Sequence, residues 1–403
     1  MANLPLAEIR VLDLSNVLSG PFCTYQLALL GAEVLKIEHP DGGDLARRLG
    51  ADPSASARGM GASFVAVNAG KQSITLNLKH DAGKDILHKL VAESDVLVEN
   101  FRPGVMDRLG LGAKSLLEIN PRLVYCAISG FGKDGPLADR PAYDQIIQGM
   151  SGAMSVTGDT KSAPLRVGYP VSDTVGGMTA AFAICAAVLA AQRNGEGTII
   201  DVSMLEATLA SMGWVVSNYL NAGVAPTPMG NENFTAAPSG SFQCGIGILN
   251  IAANETRQFE ALCQVIERAD LVRDVRFAER DARKLHRAEL KLEIEAALAK
   301  DSATNWESRL IAAGVPVGLV LGFEDAISQP QLASREFVHG LNDGATIQRV
   351  TRSGFRLADA RGRTVDGRPA APAPSLAQHT DSHLRRLGYD TDAIEHLRVK
   401  GTI

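Results

Sequence analysis

No block of lysine and arginine stands out in this 403-residue chain, whose formal net charge is −5 and whose isoelectric point is near 5.9. That absence removes nucleic acid from the expected partners, and an anionic ligand would need a local basic pocket set against an acidic background. There is no Cys-x-x-Cys pair either. Cys23, Cys126, Cys185, Cys244 and Cys263 are odd in number and widely spread. All but Cys244 stand in apolar stretches, as small core residues of a reducing compartment would. The opening Met1–Glu8 has neither an apolar signal core nor an Arg-rich amphipathic leader, so the expected location is the cytoplasm. No P-loop pattern occurs, and ATP-driven chemistry therefore lacks its phosphate cradle. The run Thr174–Ala191 approaches membrane-span length, but it is rich in Gly, Ala and Thr and an Asp precedes it. It reads as a helix buried on most faces of a soluble protein, with no membrane partner.

At this length two domains are expected. Strand signals at Ile9–Leu14, Ala32–Glu38, Ser73–Leu78, Val96–Val98 and Leu123–Ile128 alternate with helix signals at Pro21–Leu30, Leu45–Leu49 and Ala82–Val91. That alternation argues for an α/β fold with a doubly wound, mainly parallel, Rossmann-like sheet. A strand at Thr198–Val202 and a helix at Leu205–Leu220 follow, completing a large domain over residues 1–221. Residues 222–240, rich in Gly, Pro, Asn and Thr, read as a linker or active-site loop. A smaller α+β domain is expected over 241–320. Residues 321–403 then return to the large domain, closing with a helix near Asp381–Leu387.

Asp173, at the first turn of the long apolar helix, faces unpaired backbone N–H groups and the positive end of the helix dipole; both favour an ionised, nucleophilic carboxylate. An ordinary N-cap is the plainer explanation from this window alone. Gly130-Phe131-Gly132-Lys133-Asp134-Gly135 matches a dinucleotide fingerprint, yet Pro136 follows the third glycine and no apolar helix opens there. A nicotinamide site is therefore disfavoured. His379 and His383 stand one helical turn apart without a third ligand nearby, so no metal is expected. Lys71, Arg102, Arg108, His39, Lys133 and Arg140 occupy loops next to strands, where a parallel sheet gathers its ligands.

These pieces, in this order and spacing, resemble the class III CoA-transferases (the CaiB/BaiF type) over nearly the whole chain. The anchors are Val11–Ser15 with Gly20-Pro21, Gly31–Glu38, Asn68–Lys71, Val98–Gly104, Ser129–Gly132, Asp173 with Gly176 and Gly177, and Asp201–Ser203. The resemblance implies that Asp173 is the nucleophile, passing through an aspartyl anhydride and an aspartyl-CoA thioester. Coenzyme A and acyl-CoA enter as substrates, and no tightly bound cofactor is implied. It further implies CoA contacts at Val17, Leu18, His39, Lys71, Asn100, Phe101, Arg108 and Tyr143, and an obligate homodimer of interlocked rings. Gly176 and Gly177 amides would stabilise oxyanions, and Gly230 would open a covering loop through Gly240. His39 stands where an Arg occurs in formyl-CoA transferase, Leu18 where a Gln occurs and Asn16 where a His occurs; the last two argue against formyl or oxalyl substrates. Residues 218–221 and 231–235 look closest to members handling succinyl-CoA and C4–C6 dicarboxylates, with Arg47, Arg48, Arg140 or Arg166 to meet a free carboxylate.

An α-methylacyl-CoA racemase shares this fold and also carries an Asp at the Asp173 position. It needs a second base, a His about thirty residues earlier. Arg140 fills that place here, and no histidine occurs between His88 and His286. A non-catalytic acyl-CoA-binding protein is the alternative of a different class.

Overall fold

The Val/Ile/Leu runs of the first half pair as six parallel strands: β1 (Arg10–Asp13), β2 (Glu33–Glu38), β3 (Gln72–Thr75), β4 (Val96–Glu99), β5 (Val124–Ser129) and β6 (Thr198–Ser203). The computed structural model describes residues 4–403 apart from 345, 363 and 366. Strand order is β3-β2-β1-β4-β5-β6. The chain winds outward from β1 and then restarts at β4 on the other side, leaving a crevice beyond the carboxyl ends of β1 and β4.

Two-residue alternation divides the strands between two cores. Val11, Val34, Val96, Val98, Val124 and Cys126 pack with the helices Ser19–Leu29 and Val171–Asn194 on one face. Leu12, Leu35, Ile37, Ile74, Leu97 and Tyr125 pack on the other, against the Asp81–Ala92 helix and Leu384, Ile394 and Leu397 of the tail. The tail is tied to β3 by hydrogen bonds from the Ser73 amide to His379 Nδ1 and from the Thr75 amide to Thr380 Oγ1. His379 therefore serves as a strand-end acceptor.

The chain forms two compact units. The first runs up to Ala153 and resumes over Arg166–Val224 and Gln331–Ile403; the second comprises Met154–Leu165 and Ala225–Pro330. The second unit is larger than the 241–320 segment expected. Its antiparallel sheet, β7 (Ser239–Gln243), β8 (Ile248–Ala252) and β9 (Val317–Leu319), carries helices packed through Phe242, Leu249, Phe259, Leu262, Ile294 and Trp306.

Three local features depart from expectation. The Leu205–Leu220 segment is two helices, Met204–Ser211 and Gly213–Ala222, because Met212 leaves helical geometry ahead of Gly213. A hairpin of β10 (Val338–Asn342) and β11 (Ile347–Thr351) precedes a proline-rich stretch over Pro369–Pro374. The long apolar helix is not buried on most faces: Phe182 is 77% exposed, and Met178 and Leu189 are about half exposed beside it. The sheet and the Ser19–Leu29 helix cover one side of it only.

Candidate active site

The crevice at the strand-order reversal is a cleft of about 310 Å³. Its wall is built from the loop after β1 (residues 16–19), the loop after β4 (100–103), the end of β5 (128–130), Ala138 with residues 140–143, and the first turn of the Val171–Asn194 helix. Of the residues singled out from sequence, Val17, Leu18, Asn100, Phe101, Arg140, Tyr143 and Asp173 line it together. The two loops clasp each other. The Asn16 amide donates to Asn100 Oδ1 and Asn100 Nδ2 donates to the Asn16 carbonyl, both at 2.8 Å. Val17, held in the left-handed region at φ 67°, donates its amide to Asp44 Oδ1 at 3.0 Å. A β-branched residue there is strained, so the surrounding bonds are what hold the loop in this shape.

Burial, reinforced by the carboxylate of Asp144, pushes the Asp173 carboxyl up to about 7. This overturns the expectation that the helix start would keep Asp173 fully ionised. The dipole is present, but the N–H groups are already taken. Asp144 Oδ1 accepts the Ser172 amide at 2.8 Å and the Asp173 amide at 3.4 Å, while Asp144 Oδ2 accepts from Gln148 Nε2 at 2.7 Å. Asp144 acts as the helix cap across a 29-residue gap, and Asp173 is left as a half-buried, tunable acid.

Gly176 and Gly177 do not supply the oxyanion site expected of them. The helix begins at Val171, so the amides of its open end belong to residues 171–174, and those of Gly176 and Gly177 lie inside its hydrogen-bond ladder. Both glycines are spacers. A Cβ on Gly177 would come within 2.4 Å of the Ser19 carbonyl oxygen, and one on Gly176 within 3.0 Å of Met204 Cγ and 3.3 Å of Ser19 Oγ.

Two cations assigned to ligands are internal. Lys71 is buried, with its Nζ hydrogen-bonded to Asp13, Thr24, Asn68 and the Pro21 carbonyl at 2.8–2.9 Å. Burial lowers its pKa to about 8, and its ammonium is engaged inside the fold instead of being offered to a ligand. Arg47 is equally buried: it is paired with Glu38 at 2.7 Å and lies over the Phe64 ring at 3.8 Å, so it cannot meet a substrate carboxylate. Lys36 bridges Asp44 at 2.9 Å and Asp13 at 3.9 Å, placing a dry ionic network beneath the cleft loops. Its distance from water is why these charges are structural.

The remaining residues are scattered. Exposed His39 lines a neighbouring cavity of about 240 Å³ with Leu76, Leu78, Lys79 and Leu109, which shares Asn16 and Phe101 with the cleft. Arg108 is exposed on the short helix whose Val105 lines that cavity. Arg48 and Arg166 are exposed outside the cleft lining. Gly230 lies in the second unit, at φ 59°, with its amide donating to Gly158. Sequence reading missed Asp144 and Ser19; Ser19 lines the cleft, as does Arg102, one of the loop cations expected at the sheet edge. No local pattern marks Asp144, whose partner amides are remote in sequence.

Residues 6–380 match the family model described as CoA-transferase family III. The acetyl-CoA:oxalate CoA-transferase of Acetobacter aceti is 43% identical over 335 residues, 83% of this chain and 85% of that one. The mouse succinyl-CoA:glutarate CoA-transferase is 34% identical over 400 residues, covering 99% of this chain and 90% of its own. Among solved structures, a CaiB/BaiF family protein from Brucella suis superposes with a TM-score of 0.84 at 32% identity, covering 96% of this chain and all of that one.

Proposed function

The chain belongs to the CoA-transferase family III, and from that membership we propose that it moves CoA between carboxylic acids by way of covalent chemistry on Asp173. The observation that carries this reading is a half-buried carboxylate, the one acidic side chain on the cleft lining among the described residues, at the sheet's reversal point. Asp173 attacks the thioester carbonyl of the donor; the C–S bond breaks, leaving CoA thiolate and a mixed anhydride. The thiolate then adds to Asp173 Cγ, the donor acid leaves, and an aspartyl-CoA thioester remains. An acceptor carboxylate reverses both steps. One thioester replaces another, so no nucleotide is consumed.

The cleft and the adjoining apolar cavity suit the two ends of CoA. Pantetheine runs past Asn16 and Phe101, which border both, and the adenine enters between Leu76, Leu78 and Leu109 with Lys79 and His39 at hand. Arg102 and Arg140 are the cations on the cleft lining among the described residues, and they select acids with a second carboxylate. We favour succinyl-CoA and a C4–C6 dicarboxylate. The argument against oxalate from Leu18 and Asn16 does not stand beside a 43% identical relative named for it, so oxalate joins the acceptors to be tried.

Racemisation needs a second base, and apart from Asp173 the cleft lining contains no His, Asp or Glu among the described residues. The exposed apolar face of Met178, Phe182 and Leu189, with Trp214 and Leu220 also exposed in the same unit, supports the homodimer. We keep the interlocked arrangement and a cytoplasmic setting as parts of this proposal.

The test is incubation with succinyl-CoA or acetyl-CoA and a panel of oxalate, succinate, glutarate and mesaconate, read by mass spectrometry of new thioesters. Exchange lost in Asp173→Ala, together with a hydroxylamine-sensitive adduct on Asp173 in the unmodified protein, supports the reading. Exchange at full rate in Asp173→Ala, or rapid deuterium uptake at the α-carbon of a 2-methylacyl-CoA without exchange, refutes it.

A further inference from the structure

The acyl chemistry proposed above needs a donor for the oxyanion that forms on Asp173, and the helix carrying Asp173 has none to spare. Its first amides are engaged by Asp144, and its glycine amides lie within the helix. The neighbouring helix, Ser19–Leu29, also points its N-terminus at the cleft. Leu18, ahead of it, gives no side-chain cap, and its first turn holds no acid. Ser19 is 3% exposed, lines the cleft with Asp173, and its Oγ has no hydrogen-bond partner among the described residues. A buried hydroxyl without a partner is destabilising, so its retention in a cleft wall requires a reason. Ser172 Oγ is equally unpartnered but lies outside the cleft lining.

Position supplies the reason. Ser19 Oγ lies 3.3 Å from where a Cβ on Gly176 would stand. Gly176 follows Asp173 by three residues and shares its helix face, where such neighbours are about 5–6 Å apart. The glycine pair lets Ser19 come this close. We propose that Ser19 is a further catalytic residue, whose hydroxyl donates a hydrogen bond to the oxyanion formed on Asp173.

The assignment rests on the transferase reading and deepens it. When CoA thiolate adds to Asp173 Cγ of the anhydride, a C–S bond forms and the carbonyl electron pair moves to oxygen. Collapse then breaks the Cγ–O bond and releases the donor acid as its carboxylate. Ser19 gives up no proton; it stabilises the charge while it exists. The oxygen is anchored to a helix, so a donor on the adjacent helix meets it without searching, and a hydroxyl unpartnered in the resting state favours the transition state selectively.

The experiment compares the unmodified protein with Ser19→Ala and Ser19→Cys, using succinyl-CoA with glutarate and acetyl-CoA with oxalate. Loss of one oxyanion donor predicts a fall in kcat of about 100-fold, with KM for the acyl-CoA changed less than about threefold. Acyl-CoA hydrolysis should rise relative to transfer, because the anhydride waits longer. Cys keeps the size but is a weak donor, so it should reproduce most of the loss, and it decides the matter if the Ala protein does not fold. Unchanged kcat in both variants, or a raised KM with unchanged kcat, overturns the role of Ser19 alone. If the unmodified protein exchanges neither pair, the transferase reading falls and Ser19's role falls with it.

Discussion

Asp144 Oδ1 accepts the amide of Ser172 at 2.8 Å, so the residue beside Asp173 is capped by a carboxylate that also raises the pKa of Asp173 itself. One side chain orders the helix start and sets the acidity of Asp173. The free-enzyme kcat/KM should rise with pH through about 7, as Asp173 loses its proton. Asp144→Asn removes the neighbouring charge and should move that limb to lower pH, while weakening the helix cap by about 1 kcal/mol. A pH–rate series on both proteins, with thermal melts alongside, checks this.

The same acidity has a stability consequence. Asp173 titrates at about 7 in the folded chain against an ordinary value of 3.8. Between those values the unfolded chain has released a proton that the folded one still holds, so folding grows costlier as pH rises. The cost is absent below about pH 4 and complete above about pH 7, reaching at most about 4 kcal/mol. Asp173→Asn should therefore raise the melting temperature at pH 8 and leave it nearly unchanged at pH 4. An equal gain at both values would contradict the burial argument.

Lys71 contacts Asp13 at 2.9 Å in a site closed to water. Lys36 and Lys71 together outweigh burial and hold the Asp13 carboxyl well below the usual carboxylate range. Lys71→Ala leaves that buried charge short of a partner and should cost about 3–5 kcal/mol in urea unfolding. A ligand lysine would instead weaken CoA binding and leave stability unchanged; calorimetric titration with CoA separates the two outcomes.

Val17, at φ 67°, carries backbone strain that glycine would relieve. Val17→Gly should stabilise the fold by up to about 1 kcal/mol. Because the loop then loses its fixed shape beside Asn16 and Asn100, KM for acyl-CoA should rise several-fold. Denaturant melts and steady-state kinetics on one preparation give both numbers.

Arg140 is the cleft cation nearest in sequence to Tyr143, and Arg102 is its counterpart on the β4 loop. Replacing the acceptor's partner by Met should cost about 10- to 100-fold in kcat/KM for glutarate and much less for a monocarboxylate. Arg140→Met and Arg102→Met, each assayed with both acids, identify which arginine selects the second carboxylate.

The α/β class, the six strands and the family were legible in the chain alone. Alternating apolar strands and helices are local patterns, and the ordered loop motifs keep their spacing whatever the details of packing. Charges were the least legible. Lys71 and Arg47 look like ligand cations near strand ends, and only the packed sheet edge shows them facing inward to Asp13 and Glu38. Asp144 as a cap, Ser19 as an unpartnered donor and the glycine pair as spacers depend on which helices meet, a long-range geometry. Burial then decides ionisation. The segment around Asp173 suggested an acid kept charged by its helix. Tertiary packing removed water, brought a second carboxylate close and raised the proton affinity of the group, because a charge interacts with everything near it in space and not only along the chain.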